Sequence, residues 1–202
     1  MRNPENIKEA VNLRPDFIGF IFYKKSKRYV GANFSPNQTK CIPRGINKVG
    51  VFVNEPVEHV INIIENHHLD MVQLHGGESV DYCQSLKNTG KKIIKVFSIG
   101  NSLPREKINE FHQVTDIYLF DTKTENYGGS GKKFKWDILK KLNPGKPFII
   151  SGGIGPEDVE GIISFDHPDF YGVDLNSKFE IEPALKDAGL LHTFINKIRA
   201  KA

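Results

Sequence analysis

An aspartate that ends an apolar run is the first candidate for acid–base chemistry. Asp121 closes the run YLFD, so its carboxyl group is expected at the end of a buried strand, with little water around it. Burial raises the pKa of a carboxyl group and keeps it protonated, as a general acid requires. The same position also suits an aspartate that accepts hydrogen bonds from backbone N–H groups of the next loop. The residues alone leave both interpretations open.

Two glycine- and serine-containing segments are candidates for phosphate binding. They are SGGI at 151–154, which leads into a predicted helix at Pro156, and VDLNS at 173–177. Loops that follow neighbouring strands can bind phosphate through backbone N–H groups and a helix N-terminus. Together they predict a small phosphorylated substrate, although each one alone is also typical of a tight turn. A third segment, NYGGSG at 126–131, either closes over a ligand or is simply a turn.

Arg28 and His75 each have a functional and a structural interpretation. Arg28 lies in a basic run with Lys24, Lys25 and Lys27. Its planar guanidinium can bind a carboxylate through two hydrogen bonds, but such a run is also typical of a solvated loop. His75, in QLHGGE, suits an acid, a base or a hydrogen-bond donor, and equally a structural hydrogen bond.

The composition argues against several classes of protein. The 202 residues are about one domain long, and the formal charge of +4 comes without the dense basic face of a nucleic-acid-binding protein. The longest apolar runs, such as 17–22, are far shorter than a membrane helix. No GxGxxG follows a strand, so no nucleotide cofactor is indicated. We expect a cytoplasmic protein that binds neither membranes nor nucleic acid.

The two cysteines, Cys41 and Cys83, are too few for a disulfide scaffold or a zinc site. Both fall in predicted outer helices, where buried structural thiols are expected. Neither is assigned to catalysis, and no metal site is predicted.

The candidate residues are positioned by a repeated strand–helix unit. Unbroken apolar runs, typical of strands buried on both faces, are DFIGFIF (16–22), NKVGVFV (47–53), DMVQLH (70–75), KIIKVF (92–97), DIYLFD (116–121), PFIISG (147–152) and DFYGVDL (169–175). The helical stretches are 4–13, 36–42, 55–68, 78–88, 104–113, 135–142, 156–163 and 182–200. This alternation predicts a parallel sheet covered by helices.

The regular spacing favours a closed barrel over an open doubly wound sheet. Strand starts are about 22 to 31 residues apart, without a linker. A (β/α)8 barrel has eight strands, whereas the chain offers seven and opens with a helix. We therefore expect an α/β fold, a (β/α)8 TIM barrel in a single domain over 1–202, in which the first strand is missing. The native protein is expected to carry about ten further residues before Met1, as one repeat of the unit requires.

The ordered motifs resemble a known family. GFIF, SKRYV, VGVFVN, VQLHGGE, FDT, GGSGKKFKW, SGGI and GVDLNSKFE, in this order and spacing, resemble phosphoribosylanthranilate isomerase of tryptophan biosynthesis over residues 1 to about 198. The resemblance implies an Amadori rearrangement of N-(5'-phosphoribosyl)anthranilate without metal or organic cofactor.

The resemblance also implies roles for individual residues. Asp121 would be the general acid that protonates the furanose ring oxygen, and Arg28 would hold the anthranilate carboxylate. The remaining assignments are Gln73 and His75 as lining of the pocket, Asp174 at the sugar hydroxyls, and Gly129, Gly131, Gly152, Gly153, Asn176 and Ser177 around the phosphate.

The chain departs from the family pattern at its start. Family members begin with a strand ending in K-I-C-G, whose cysteine is the general base for the C2' proton, and MRNPENIKEA resembles the helical segment immediately after that strand. Since general base catalysis contributes about 10²- to 10⁴-fold, the chain beginning at Met1 is expected to have little activity. Smaller departures are Asn176, Lys178 and Ala184, where the family often has Ser, Gly and Gly.

Two alternative functions remain. One is the related sugar-phosphate isomerase of histidine biosynthesis, which would be expected to use two strand-end aspartates and two similar halves. The other is an inactive barrel that binds a phosphorylated ligand or a partner protein. A monomer or a homodimer is expected whichever function holds.

Overall fold

The computed structural model describes residues 1–100, 102–122 and 134–201. The helices are α1 (Pro4–Asn12), α2 (Val57–His67), α3 (Val80–Lys87), α4 (Arg105–Glu110), α5 (Val159–Ile163) and α6 (Ala188–Arg199). The strands are β1 (Phe17–Ile21), β2 (Asn47–Phe52), β3 (Met71–Leu74), β4 (Lys92–Ile99), β5 (Ile117–Thr122), β6 (Phe148–Ile150), β7 (Phe170–Val173), β8 (Glu180–Glu182) and β9 (Leu185–Lys186). Short 3-10 turns lie at Pro36–Thr39, His112–Val114, Trp136–Lys141, Pro156–Asp158 and Ser177–Phe179.

The strands β1 to β7 form one parallel sheet in which each strand pairs with the next in the chain. Phe17 lies beside Asn47 at one end of this series, and Ile150 lies beside Val173 at the other. A doubly wound sheet reverses its strand order at a switch point, whereas a barrel keeps sequence order. The predicted strands and the barrel-type order are therefore confirmed.

Both faces of the sheet are apolar. One cluster contains only strand side chains, among them Ile94 and Leu119, and fills the inner side. A larger cluster lies between the sheet and the helices and includes Phe20 and, from α3, Leu86. Burial on both faces explains why the strands read as unbroken apolar runs.

The sheet curls but does not close by strand pairing within the described residues. The rings of Phe17 in β1 and Tyr171 in β7 lie 5.8 Å apart, yet the two strands are not hydrogen-bonded to each other. The carbonyl of Gly19 instead accepts from the Met1 amino group at 3.1 Å, and the Ile21 carbonyl accepts from the Val30 N–H at 3.0 Å. Two carbonyls of β1 therefore pair with residues outside the large sheet and not with β7.

A cavity of about 480 Å³ lies beside this gap and reaches the C-terminal ends of the strands. Its lining includes Gly19 and Gly172 from the two edge strands, Leu191 from α6, and Asp121. The cavity therefore joins the gap to the end of the barrel where the candidate residues were predicted.

The predicted helix over 182–200 is wrong in its first part. Residues up to Lys186 form the β8–β9 hairpin, and α6 begins only at Ala188. Ala184 has φ 72°, which turns the chain, and Asp187 caps α6 by accepting a hydrogen bond from Leu190 N at 2.9 Å. Both features are local, and they delay the start of the helix from the predicted residue 182 to Ala188.

Two other predicted helices, 36–42 and 135–142, are short 3-10 turns. Cys41 consequently follows a turn and does not lie in a helix, and it is only partly buried, contrary to expectation, whereas Cys83 lies in α3 and is fully buried, as expected. Among the helices described, none has the length and apolarity needed to cross a membrane.

Candidate active site

A histidine and an aspartate meet at the C-terminal end of the barrel. His75 directly follows β3 and Asp121 is the next-to-last residue of β5, and the His75 Nε2 atom is 3.2 Å from Asp121 Oδ2. Each side chain is about a quarter exposed (24% and 23%), and both line the cavity. Two groups that can exchange a proton are thus held in contact where both are largely shielded from solvent.

Asp121 also makes a local hydrogen bond. Its Oδ1 atom accepts from Thr122 N at 2.8 Å, which leaves Oδ2 for His75. The loop-capping and the acid–base interpretations of this residue are therefore compatible, since each uses a different oxygen.

The SGGI loop lies against this aspartate because it contains two glycines with positive φ. Gly152 has φ 93° and Gly153 has φ 68°, values that other residues rarely adopt. A Cβ atom on Gly152 would come within 2.7 Å of Asp121 Oδ1 and closer still to Thr122. The backbone of this loop can thus approach a ligand beside Asp121.

The predicted phosphate-binding residues from two strands line one cavity. Gly152 and Gly153 follow β6, whereas Asn176 and Ser177 follow β7, and all four contribute to the lining. Gly129 and Gly131, predicted at the same site, lie outside the described residues.

Asp174 lines the cavity beside Ser151. Ser151 Oγ donates a hydrogen bond to Asp174 Oδ2 at 3.0 Å. Burial raises the pKa of Asp174, while the charge of Lys186 and the Ser151 hydrogen bond act against that rise. Asp121 raises it further. Gln73, from β3, lines the same cavity.

Arg28 also lines the cavity, but its guanidinium is bound to Glu180. Its Nε lies 3.0 and 2.8 Å from the two carboxylate oxygens, and its Nη2 lies 2.6 Å from Oε2. Burial alone would raise the pKa of Glu180, yet the Arg28 hydrogen bond and the charge of Lys186 outweigh burial and lower it. The basic run therefore includes an ordered ion pair.

Lys186 is a site residue that the sequence did not identify. Its Nζ donates to the carbonyls of Leu175 and Asn176, both at 3.1 Å, and to Asn176 Oδ1 at 2.9 Å. It also lies 3.3 Å from Glu180 Oε1. The side chain thus fixes the chain that follows β7. Because Lys186 stood inside a predicted helix, only the hairpin reveals this role.

The described residues contain no cluster of three or more His, Cys, Asp or Glu side chains arranged to hold a metal. Neither Cys41 nor Cys83 appears in the lining of the cavity.

Nearly the whole chain matches one family model. The model describes N-(5'phosphoribosyl)anthranilate (PRA) isomerase, and it covers residues 1–197. A relative from Parabacteroides distasonis, named N-(5'-phosphoribosyl)anthranilate isomerase, is 46% identical over 199 residues, or 98% of this chain and 90% of its own length. The chain belongs to this isomerase family.

Solved isomerases have the same fold. The crystal structure of the Thermotoga maritima phosphoribosyl anthranilate isomerase is 31% identical, has a TM-score of 0.86, and is matched over 99% of this chain and 96% of its own. A second isomerase structure, 27% identical with a TM-score of 0.81, matched over 99% of this chain and 95% of its own, holds reduced 1-(o-carboxyphenylamino)-1-deoxyribulose 5-phosphate. The isomerase resemblance seen in the motifs is thus confirmed for family and fold.

Proposed function

We propose that this chain acts on N-(5'-phosphoribosyl)anthranilate and converts it to 1-(o-carboxyphenylamino)-1-deoxyribulose 5-phosphate, as its isomerase family does in tryptophan biosynthesis. The observation that carries the proposal is the contact of His75 with Asp121 at the end of a cavity bounded by the SGGI loop. A proton donor therefore lies beside backbone suited to an anionic ligand.

Asp121 is proposed as the general acid. Its carboxyl group donates a proton to the furanose ring oxygen as the C1'–O bond breaks, and the lone pair of the anthranilate nitrogen forms the C=N bond of a Schiff base. Loss of the C2' proton then gives an enolamine, which tautomerises to the ketone. The substrate and the product have the same atoms and the same oxidation level overall, so the reaction requires no external oxidant or reductant.

Three side chains are proposed to hold the organic part of the substrate. Arg28 would bind the anthranilate carboxylate through Nη1, since its described contacts with Glu180 use Nε and Nη2. Asp174 would accept hydrogen bonds from sugar hydroxyls, and Gln73 would contact the same region of the cavity.

The phosphate would lie at the ends of β6 and β7. Backbone N–H groups near Gly152, Gly153 and Ser177 are proposed to surround it, with the Asn176 side chain beside them. Lys186 supports this arrangement because its ammonium group holds the carbonyls of Leu175 and Asn176.

The C2' proton requires a base, and the family resemblance assigns it to a cysteine. Cys41 and Cys83 do not line the cavity, so neither is proposed for this role. We propose that a strand ending in K-I-C-G would supply it in the gap between β1 and β7.

The test is an assay of anthranilate fluorescence with substrate generated in situ. The chain is compared with a form extended by such an N-terminal strand. Activity in the extended form alone supports the function and the cysteine base, whereas equal strong activity in both forms assigns the C2' proton to another residue.

In the active form, Asp121→Asn should lower kcat by about 10²- to 10⁴-fold, because it removes the proton donor. Asp137→Asn is the matched control, since Asp137 is exposed and lies outside the main cavity, and it should retain full activity. Equal activity of the two variants would refute the role of Asp121.

A barrel that binds a phosphorylated ligand without turning it over is the second candidate. The observation in its favour is that no cysteine of the chain lines the cavity. The alternative is established if the chain and its extended form both fold and both bind the reduced carboxyphenylamino-deoxyribulose phosphate, but neither shows activity.

A further inference from the structure

Lys95 and Glu78 form an ion pair that is shut off from both solvent and the cavity. Their side chains are each 1% exposed, and Lys95 Nζ lies 2.8 Å from Glu78 Oε2. In β4 the flanking Ile94 and Val96 belong to the inner apolar cluster, so the alternation of a strand directs Lys95 to the opposite, outer side. The pair therefore does not touch a ligand in the cavity.

Every donor of the Lys95 ammonium group has a partner at the end of β3 or on the loop that follows it. Besides Glu78, Nζ donates to the carbonyl of Gly76 at 2.9 Å and to that of Leu74 at 3.4 Å. An ammonium group has three N–H bonds, so its capacity is fully used. These contacts hold the carbonyls on either side of His75.

The Glu78 carboxylate binds the same loop from its other side. It accepts hydrogen bonds from the Gly76 N–H at 3.0 Å and, at the end of β2, from the Asn54 N–H at 2.9 Å. Asn54 Oδ1 in turn accepts from Gly77 N at 2.7 Å. A Cβ on Gly76 would lie 2.5 Å from Asn54 Oδ1 and 2.6 Å from Glu78 Oε1, so a larger residue there would displace both of these side chains.

The backbone of His75 is therefore fixed on three sides. Lys95 and Glu78 hold its two neighbours, and its own N–H donates to the Phe52 carbonyl at 2.9 Å. From this backbone the imidazole Nε2 reaches Asp121 Oδ2 at 3.2 Å.

Stability does not by itself account for a buried pair at this position. Removing two charges from water costs several kcal/mol per ion, and apolar residues of similar volume often give an equally stable protein. A pair that also binds the two carbonyls and the one N–H group of the residues next to His75 instead supplies a fixed geometry.

We propose that Lys95 and Glu78 are positioning residues of the isomerase reaction, which hold His75 in contact with Asp121 from outside the cavity. The inference rests on the proposed function, because it takes Asp121 as the proton donor. A displacement of about 1 Å at reacting groups can lower the rate by about 10²-fold.

The test uses a double variant, Lys95→Met/Glu78→Gln, in the form of the protein that is active. Lys95→Met alone would leave a buried carboxylate without its partner and destabilise the fold, whereas the double variant removes both charges. Its kcat should fall about 10- to 100-fold. KM should change little, because Arg28 and the phosphate loops, which are proposed to bind the substrate, follow other strands.

The control is Lys87→Met, which removes an ammonium group bound to Asp116 at 2.9 Å. This residue contacts neither the loop that holds His75 nor the phosphate loops. It should leave kcat unchanged. A folded double variant with the kcat of the parent would overturn the proposal and leave the pair a purely structural role.

A second readout does not depend on turnover. NMR of the labelled His75 ring should show shifted resonances in the double variant and unchanged ones in Lys87→Met. If the parent has no activity, the proposed function fails, and the positioning inference is decided by these resonances: an unmoved His75 ring in the folded double variant overturns it.

Discussion

At the scale of single residues, the cavity contains groups whose environment opposes their charge. Asp174 is the clearest example, because burial raises its pKa and Lys186 and Ser151 compensate only in part. A carboxylate kept at such a place reduces stability, which makes Asp174 a candidate for ligand binding.

Asp174→Asn should make the protein more stable near neutral pH. A carboxyl group with a higher pKa in the folded state favours folding at low pH, and this contribution is lost as the pH rises from the ordinary value of 3.8 through the raised one. The gain should therefore shrink toward acid pH. Urea denaturation of both proteins across this range measures it, and a variant less stable than the parent at neutral pH would contradict the prediction.

Gly152→Ala should lower both stability and activity. The left-handed backbone alone costs an alanine about 1 to 2 kcal/mol, and at this position the added Cβ also meets Asp121 and Thr122. Gly45→Ala is the control, since Gly45 has φ 105° and no atom within 4 Å of an added Cβ. Urea denaturation and the fluorescence assay should show the larger loss for Gly152→Ala; equal losses would mean that the contact with Asp121 is unimportant.

At the scale of elements, the β8–β9 hairpin decides the surroundings of Arg28. It brings Glu180 to the guanidinium and Lys186 to the chain after β7. A helix over 182–200 would direct Lys186 elsewhere, which is why the pattern of the sequence missed it. Glu180 precedes that predicted helix, and only the fold of the hairpin brings it to Arg28.

Ala184→Gly should stabilise this hairpin by up to about 1 kcal/mol. Ala184 has φ 72°, which is strained for alanine and relaxed for glycine, although part of the gain is offset by the greater entropy of glycine in the unfolded chain. Ala200→Gly, at a position with φ −70°, should give no gain. Chemical denaturation compares the two, and a loss of stability in Ala184→Gly would refute the strain.

At the scale of the whole molecule, the sheet has two weakly protected strands. β1 and β7 are paired with a strand on one side only, whereas β2 to β6 are paired on both. Gly19 and Tyr171 are accordingly exposed, and Tyr171 keeps 53% of its surface.

Amide hydrogen exchange should therefore be fastest, among the strands of the large sheet, in β1 and β7. Local opening costs least where few buried contacts hold a strand. Protection of Gly19 and Tyr171 should be well below that of Ile94 and Leu119 in native-state exchange. Equal protection would show that the gap is closed in solution.

The sequence by itself determined the strands, their order and the place of Asp121. Apolar runs separated by helices require a parallel sheet, and a parallel sheet brings the C-terminal ends of its strands to one edge, so Asp121, His75 and the SGGI loop had to lie on the same side. The family of the chain followed from sequence motifs that lie at those strand ends.

Only the tertiary structure decided which of these groups touch. The His75–Asp121 contact, the ion pair of Arg28 with Glu180, and the Lys95–Glu78 pair join residues far apart in the chain. The spacing of residues in a sequence sets the side of a strand on which each lies, but contact distances depend on how the sheet curls and how the hairpin folds back. Those are set by the packing of the whole barrel.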